Sequence, residues 1–359
     1  TCVICISLAS VQSYEYDTIT NTVKCPGEDL NVPFNVTQLN KFFTKVDDAE
    51  LRTIVANTTR WPELEITCTT GITNMSQLFK NKINTGDKTC NLTTWDTSNV
   101  VDMSEMFFGS TFFNQIIGYW DTSNVITMRY MFSQCYSFQQ NIGNWKTENV
   151  EDMSYMFASS AANIVNFNQD IGNWTTSNVK NMQGMFLGTF AFNQDIGRWN
   201  TASVTDMSKM FRGANGFDQD IGNWTTSNVE YMSFMFAELP SWDLGQTYYS
   251  KFNQSIGRWD TSKVTTMESM FNGALKFSQN IDSWKTQNVL NMDNMFNNAQ
   301  EFDGNLSSWC VERITSAPTG FASDSKLQPA SQPGWGSECL PTTTTTTTTT
   351  AATTAASAT

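Results

Sequence analysis

The stretch that decides the fold runs from Phe192 to Phe217 and reads FNQDIGRWNTASVTDMSKMFRGANGF. Ile196 follows Phe192 by four residues and Trp199 follows it by seven, and the same spacing begins again at Phe217. Between successive Trp residues lies a second pattern, V-x-x-M-x-x-M-F, and all 17 Met residues of the chain occupy its two Met positions. Self-similarity at a fixed period is typical of repeat architectures, so the sequence predicts a solenoid.

The repeat unit is 25 residues long. From Trp95 to Trp309 the Trp residues at the repeat position, which exclude Trp242 of the insertion, are separated by 25, 25, 29, 25, 25, 35, 25 and 25 residues. Both longer intervals contain their extra residues after Met-Phe and before the next Phe. Because a stacked interior tolerates insertions only where loops leave it, this regularity indicates that loops belong on one rim.

Each coil is predicted to contain one short parallel β-strand and one short helical turn. The segment F-N-Q-D-I-G-x-W fits a strand of about five residues followed by a bend. Val204, Met207, Met210 and Phe211 share one face of a helical turn, which polar N-cap residues precede. Rows of Asn and Gln at fixed slots are expected to hydrogen-bond from coil to coil. A lone coil should not fold, whereas a stack of about nine to ten coils can.

The repeated text W-D-T-S-N-V-x-x-M-x-x-M-F and F-N-Q-D-I-G-N-W extends from about Ile72 to Trp309. It resembles the BspA-like branch of leucine-rich repeats, a bacterial surface-protein repeat of about 26 residues. The resemblance implies a right-handed solenoid, secretion or surface display, and a binding or structural role. It leaves the source organism open, since related repeats occur in bacteria and in microbial eukaryotes.

Composition excludes several classes of partner and site. The formal net charge is −13, which disfavours nucleic acid and anionic membranes as partners. The chain contains no His, the commonest general base and metal ligand. We find no catalytic constellation and no cofactor motif, and we expect neither a metal site nor membrane insertion.

The pattern divides the chain into five segments. Residues 1–13 form an apolar segment, which is either a mature strand, our preferred interpretation, or the remnant of a signal peptide. Residues 14–67 are expected to form a small helical N-terminal cap, with a helix across Thr37–Asn57 that Asp47-Asp48 divides. The solenoid occupies residues 68–309, a disulfide-closed C-terminal cap residues 310–340, and a Thr-rich tail residues 341–359.

Eight cysteines bear on this organisation. Cys310 and Cys339 bracket a segment that looks like the closing segment of the resembled family, and we expect them to form a disulfide. Cys68 and Cys90 flank the first coil and are our second pair. Cys135 occupies a slot where other coils have Ala and is interpreted as a free core thiol. The pairing of Cys2, Cys5 and Cys25 is left open, although Cys2-x-x-Cys5 favours disulfide chemistry.

Glycosylation signals are abundant. Eight N-x-S/T sequons occur, and those within the repeats should point outward; the acceptors are Asn35, Asn57, Asn74, Asn91, Asn173, Asn223, Asn253 and Asn305. A Thr tract typical of O-glycosylated stalks follows Pro341; its residues are Thr342, Thr343, Thr344, Thr345, Thr346, Thr347, Thr348, Thr349 and Thr350. Chance remains an alternative explanation for the sequons, because Asn- and Thr-rich repeats generate them.

Two further features are candidate sites, one for calcium and one for a binding partner. Asp170, Asp195 and Asp220 recur at 25-residue spacing and suggest either a calcium ladder or, as we favour, a solvated polar face. The segment 238–251, ELPSWDLGQTYYSK, includes the ten-residue insertion and contains the candidate binding residues Trp242, Tyr248 and Tyr249. The alternative is a loop packed on its own solenoid.

Together these features favour a non-enzymatic, secreted glycoprotein. We expect a structural subunit of an extracellular filament or surface coat that self-associates head to tail through its termini or binds other surface proteins. The alternative is a stalked cell-surface adhesin that binds glycan or protein through the solenoid face and its rim insertion. We favour the filament because an apolar strand lies at one end of the chain and a β-branched tail at the other.

Overall fold

The N-terminal cap is a small mixed α/β unit. The computed structural model describes residues 14–86, 90–159, 166–240 and 247–339. The elements of the cap are, in chain order, β1 (Glu15–Asp17), β2 (Thr22–Lys24), β3 (Pro33–Val36), β4 (Lys41–Lys45), α1 (Asp48–Ala56), a 3₁₀ helix (Thr58–Ile66) and β5 (Thr67–Cys68). Strands β1 and β2 form an antiparallel hairpin, whereas β4 lies between antiparallel β3 and parallel β5.

The prediction of a helix across Thr37–Asn57 is wrong for its first half, which contains strand β4. Phe43 is buried while its neighbour Phe42 is 63% exposed, the two-residue alternation of a strand with one solvated face. The sequence pattern placed both rings on one helical face. Helix α1 begins only after Asp47, whose carboxylate caps it by accepting a hydrogen bond from the Glu50 N–H at 2.8 Å.

The predicted Cys68–Cys90 disulfide is also wrong. Cys68 is bonded to Cys25, 43 residues earlier in the chain, and Cys90 is a buried free thiol. The bond joins the end of the β1–β2 hairpin to strand β5, inside a small second core that includes Phe34, Val36 and Phe43. Proximity along the sequence suggested the wrong partner, because the fold of the cap decides which cysteines meet.

Beyond the cap the chain winds into a solenoid whose coils are linked by backbone hydrogen bonds. Isolated parallel bridges connect one residue of each coil to the next, in the order Asn74, Asp102, Thr127, Asp152, Asn181, Asp206, Tyr231, Thr266 and Asn291. Alternate N–H groups continue this ladder: Met207 donates to Tyr231 O at 3.0 Å and Phe211 to Met235 O at 2.9 Å. Each coil is therefore hydrogen-bonded to the backbone of its neighbour.

The ladder lies in the Val-to-Phe segment, where a helical turn was predicted, and not in the Phe-to-Trp segment, where the strand was predicted. Both predictions are therefore wrong. Over the described residues between 69 and 328, regular strands occur only as β6 (Leu239–Pro240) and β7 (Thr247–Tyr248) in the insertion, and no helix forms. The residue before the second Met has positive φ, as in Lys209 at 60° and Phe234 at 60°. A left-handed residue at this point interrupts a helix. Alternate N–H groups bond to the next coil, and those between them, such as that of Met210 to Met207 O at 3.2 Å, close turns within their own coil.

The predicted core is confirmed in the described coils. In the central coil Phe192, Ile196, Val204, Met207, Met210 and Phe211 are at most 1% exposed, and Trp199 is 3% exposed. The Trp199 ring lies between those of Trp174 and Trp224, at 6.4 Å from each and within 3° of parallel. Its indole N–H donates to Ile171 O of the preceding coil at 3.2 Å. One continuous core joins the coils to helix α1 and to the C-terminal segment.

The C-terminal segment covers the last coil. Phe321 is buried and packs edge to face against Phe296, with ring centroids 5.5 Å apart, and against Trp335 at 4.8 Å. Cys310 and Cys339 form a disulfide across this segment. Among the residues that the structure describes, no helix combines the length and the apolar character needed to cross a bilayer.

Candidate functional site

The predicted binding loop is described only in part. Trp242 and the side chain of Tyr248 lie outside the described residues, while Tyr249 is 37% exposed. At the base of the loop, the Leu239 side chain lies so close to Gly213 that a Cβ there would come within 2.5 Å of it. The described base of the insertion thus packs on its own solenoid.

The Asp row does not assemble into a metal site in the described coils. Asp170, Asp195 and Asp220 each accept a hydrogen bond from the Gly N–H two residues later, at 2.9–3.0 Å. These carboxylates close turns within their own coils. Within the described ranges, the one group of three potential ligands is Cys310, Glu312 and Cys339, whose sulfurs are already joined as a disulfide.

Most sequon side chains are exposed, as at Asn35, Asn173 and Asn305. Asn253 differs, because it is partly buried and its carboxamide oxygen accepts bonds from the Ser278 N–H and the Gln279 side chain, both at 3.0 Å. The expectation that Asn253 points freely outward is therefore corrected. The predicted O-glycosylated Thr tract and residues 1–13, with Cys2 and Cys5, lie outside the described part of the chain.

The amide rows bond to backbone groups more than to one another. Asn228 donates to Ala202 O of the preceding coil at 2.8 Å, and Gln219 donates to both oxygens of Asn193 at 3.0–3.1 Å. The sequence therefore predicted coil-to-coil bonding, but not its acceptors.

A row of buried threonines was missed. Thr201 is 1% exposed and its hydroxyl donates to Thr225 O of the next coil at 2.9 Å. The same bond recurs two residues after the other repeat Trp residues from Trp95 to Trp284, at Thr97, Thr122, Thr147, Thr176, Thr226, Thr261 and Thr286. The signal was present in the sequence as a W-x-T spacing that only the last repeat Trp, Trp309, lacks.

A concavity lies where the β1–β2 hairpin meets the first coils. Val23 N–H donates to Thr94 O at 3.0 Å and fixes the hairpin to the solenoid. The resulting cleft has a volume of about 350 Å³ and is lined from both sides, with Asp17 and Lys24 on the hairpin and Tyr119 and Lys146 on the coils. Since the hairpin is outside the repeat, no periodic pattern could locate this cleft.

The cleft combines charges of both signs with an exposed aromatic ring. Burial acts to raise the pKa of Asp121, but hydrogen bonds from Ser123 and the charge of Lys146, 3.6 Å away, hold it below its ordinary value. A hydrogen bond from the Thr20 hydroxyl lowers the pKa of Asp17. Tyr119, 57% exposed, stands beside these groups. Such a lining suits a polar ligand that both donates and accepts hydrogen bonds and stacks on the Tyr119 ring.

Comparison with known proteins gives one result. The family model described as "Mycoplasma protein of unknown function, DUF285" matches three times in tandem, over residues 73–163, 159–247 and 242–335. No curated protein and no solved structure is significantly similar to the chain. The matches begin in the first coil and end in the C-terminal cap, so together they follow the repeats.

Proposed function

We propose that this chain, which belongs to the DUF285 family over most of its length, is a non-enzymatic, secreted structural glycoprotein. In this proposal it is a subunit of an extracellular filament or surface coat, assembled head to tail through its termini. The finer fold assignment, a right-handed BspA-type leucine-rich repeat, is part of the same proposal.

The observation that carries the proposal is the unbroken stack of coils. Backbone bonds, Trp rings and buried Thr hydroxyls all run from each coil to the next. A stack in which each coil contacts its neighbours extends along one axis, which suits a structural or spacing role. Because caps cover both ends of the core, contacts between subunits would involve the segments outside the caps, residues 1–13 and 341–359.

Two features support an extracellular location. The described residues include two disulfides, Cys25–Cys68 and Cys310–Cys339, and such bonds persist in oxidising compartments. Exposed acceptor sequons such as Asn173 and Asn223 are available to a glycosylating host.

Light scattering and negative-stain images of the native secreted material test the assembly. We expect concentration-dependent growth of filaments for the full chain, and a monomer after deletion of residues 1–13. If the full glycosylated chain stays monomeric at high concentration, the filament proposal fails.

A second candidate function, a stalked adhesin, is favoured by the cleft beside Tyr119. A glycan array and a panel of matrix proteins would be probed with the full chain and with Tyr119→Ala. Binding that Tyr119→Ala abolishes, and that Tyr249→Ala leaves intact, supports the adhesin. The absence of any binding rejects it.

A further inference from the structure

The outer face of the β3–β4 hairpin carries an exposed aromatic ring. Phe34 and Phe43 are paired across the two strands and point into the small core of the cap. The neighbouring pair is Asn35 and Phe42, which the alternation of strand side chains turns to the opposite face. Phe42 is 63% exposed there, more than any described ring of the repeats.

Asn35 lies directly across from this ring and is the Asn of an N-x-T sequon. Asn35, Val36 and Thr37 form an N-x-T sequon; Val36 is buried, while Asn35 and Thr37 are exposed. Residues directly opposite in an antiparallel pair have Cβ atoms about 4.5–5.5 Å apart on the same face. The carboxamide nitrogen that would carry a glycan is thus within one sugar ring of Phe42.

We propose that the first N-acetylglucosamine of an N-linked glycan on Asn35 packs its apolar face against Phe42 and covers the ring. The Asn35 carboxamide nitrogen bonds to the anomeric carbon of a lipid-linked oligosaccharide and loses one proton to the host's transferase. The C–O bond between that carbon and the lipid diphosphate breaks, and the lipid diphosphate leaves with the electron pair. Covalent attachment across the strand holds the sugar at a high local concentration, so its contact with the ring costs little entropy. Removing the apolar ring from water then favours the packed arrangement.

The proposal fits this sequon better than the others. Asn305, for example, is exposed, but its carboxamide oxygen accepts a bond from the Ser307 N–H of its own turn. Phe112 provides the converse comparison, since it is 53% exposed and is not part of a strand pair with a sequon. Asn305 and Phe112 therefore serve as matched controls for Asn35 and Phe42.

The test uses the full chain secreted from a eukaryotic host that adds high-mannose glycans. Peptide mass spectrometry first measures occupancy at Asn35. Hydroxyl-radical footprinting then compares the oxidation rates of Phe42 and Phe112 in the intact protein, after endoglycosidase H, which leaves the first sugar, and after peptide-N-glycosidase F, which removes it.

We expect Phe42 to be protected in the intact and endoglycosidase-H-treated protein. Its oxidation should rise severalfold after peptide-N-glycosidase F and equally in Asn35→Gln, while Phe112 does not change and Asn305→Gln has no effect on Phe42. An unoccupied Asn35 overturns the proposal. So does a Phe42 that stays protected without the glycan, since another segment or a second copy would then cover it, or one that is equally reactive in every form.

This inference rests on the proposed function only in requiring passage through a secretory pathway, which the host supplies. A monomeric chain in light scattering would end the filament proposal and leave the Asn35–Phe42 contact standing. A Phe42 that is exposed in the glycosylated protein would end the proposed Asn35–Phe42 contact and leave the filament proposal standing.

Discussion

At the scale of single residues, each coil depends on side chains that both fill the core and donate a hydrogen bond to a neighbouring coil. Trp199 fills the interior and donates its indole N–H to the coil before it, at Ile171 O. Thr201 is buried and donates its hydroxyl to the coil after it. A residue that both occupies volume and satisfies a buried carbonyl is costly to replace, because removal leaves a cavity and an unpaired acceptor.

Trp199→Ala should lower the free energy of unfolding by about 3–5 kcal/mol, as expected of a large-to-small change in a packed core. Urea unfolding followed by circular dichroism measures this. Trp199→Phe should cost less, since it keeps most of the ring volume. Tyr119→Ala, at an exposed position, should leave the midpoint almost unchanged. A loss below about 1 kcal/mol for Trp199→Ala would contradict the packing described here.

Cys90 and Cys135, the two free thiols in the part of the chain that the structure describes, should be inert in the folded protein. Burial raises the pKa of Cys90 to about 12 and raises that of Cys135 as well. At pH 8 neither residue then has an appreciable thiolate fraction, and the thiolate is the reactive form. Iodoacetamide labelling with peptide mapping should modify both thiols in urea and neither without it. Rapid labelling of Cys135 in the native protein would show that its coil opens.

At the scale of elements, the C-terminal cap completes the ladder of the last coil. Asn294, Phe296 and Asn298 donate their N–H groups to carbonyls of the cap at 2.7–2.8 Å, as other coils donate to the next coil. The Cys310–Cys339 disulfide closes the cap across 29 residues. The cap therefore supplies the backbone acceptors that a further coil would supply.

Replacing both cysteines, as Cys310→Ser with Cys339→Ser, should destabilise the cap by roughly 3–4 kcal/mol through restored freedom of the open loop. Hydrogen exchange should show the amides of Asn294, Phe296 and Asn298 losing protection first, because contacts in an array are between nearest neighbours. The amides of helix α1 are the internal control. Equal loss of protection along the whole array would contradict this account.

At the scale of the whole molecule, the ion pairs of the N-terminal cap make its stability depend on pH. The N-terminal cap holds Glu63 and Glu65, whose pKa values are lowered chiefly by hydrogen bonds from Arg60 and Lys41. A carboxylate with a lower pKa in the folded state adds stability above its unfolded pKa, about 4.5 here. That stability is lost as the pH falls through the folded value.

Acidification from pH 6 to pH 3 should therefore loosen the N-terminal cap. The melting temperature of the wild type should fall over this range more than that of Arg60→Met, which lacks the pairs with Glu63 and Glu50. The two curves should converge at low pH. Parallel curves across the whole range would show that these pairs do not contribute.

The sequence by itself determined the period, the interior slots and the position of the insertions. Residues as large and apolar as Phe192, Trp199 and Met207 at a fixed spacing can be buried together only if each coil repeats the one before it. These properties are carried by residue type and spacing, so no knowledge of the backbone path is needed. Membership of a repeat family was foreseeable for the same reason.

Only the tertiary structure decided the backbone path, the cysteine pairing and the cleft. The left-handed conformation of Lys209 and Phe234 goes against their intrinsic preference and is imposed by the hydrogen bonds between coils. Cys25 reaches Cys68 because a hairpin outside the repeat folds back on the cap. Each of these results depends on contacts between residues distant in the chain, which no local pattern records.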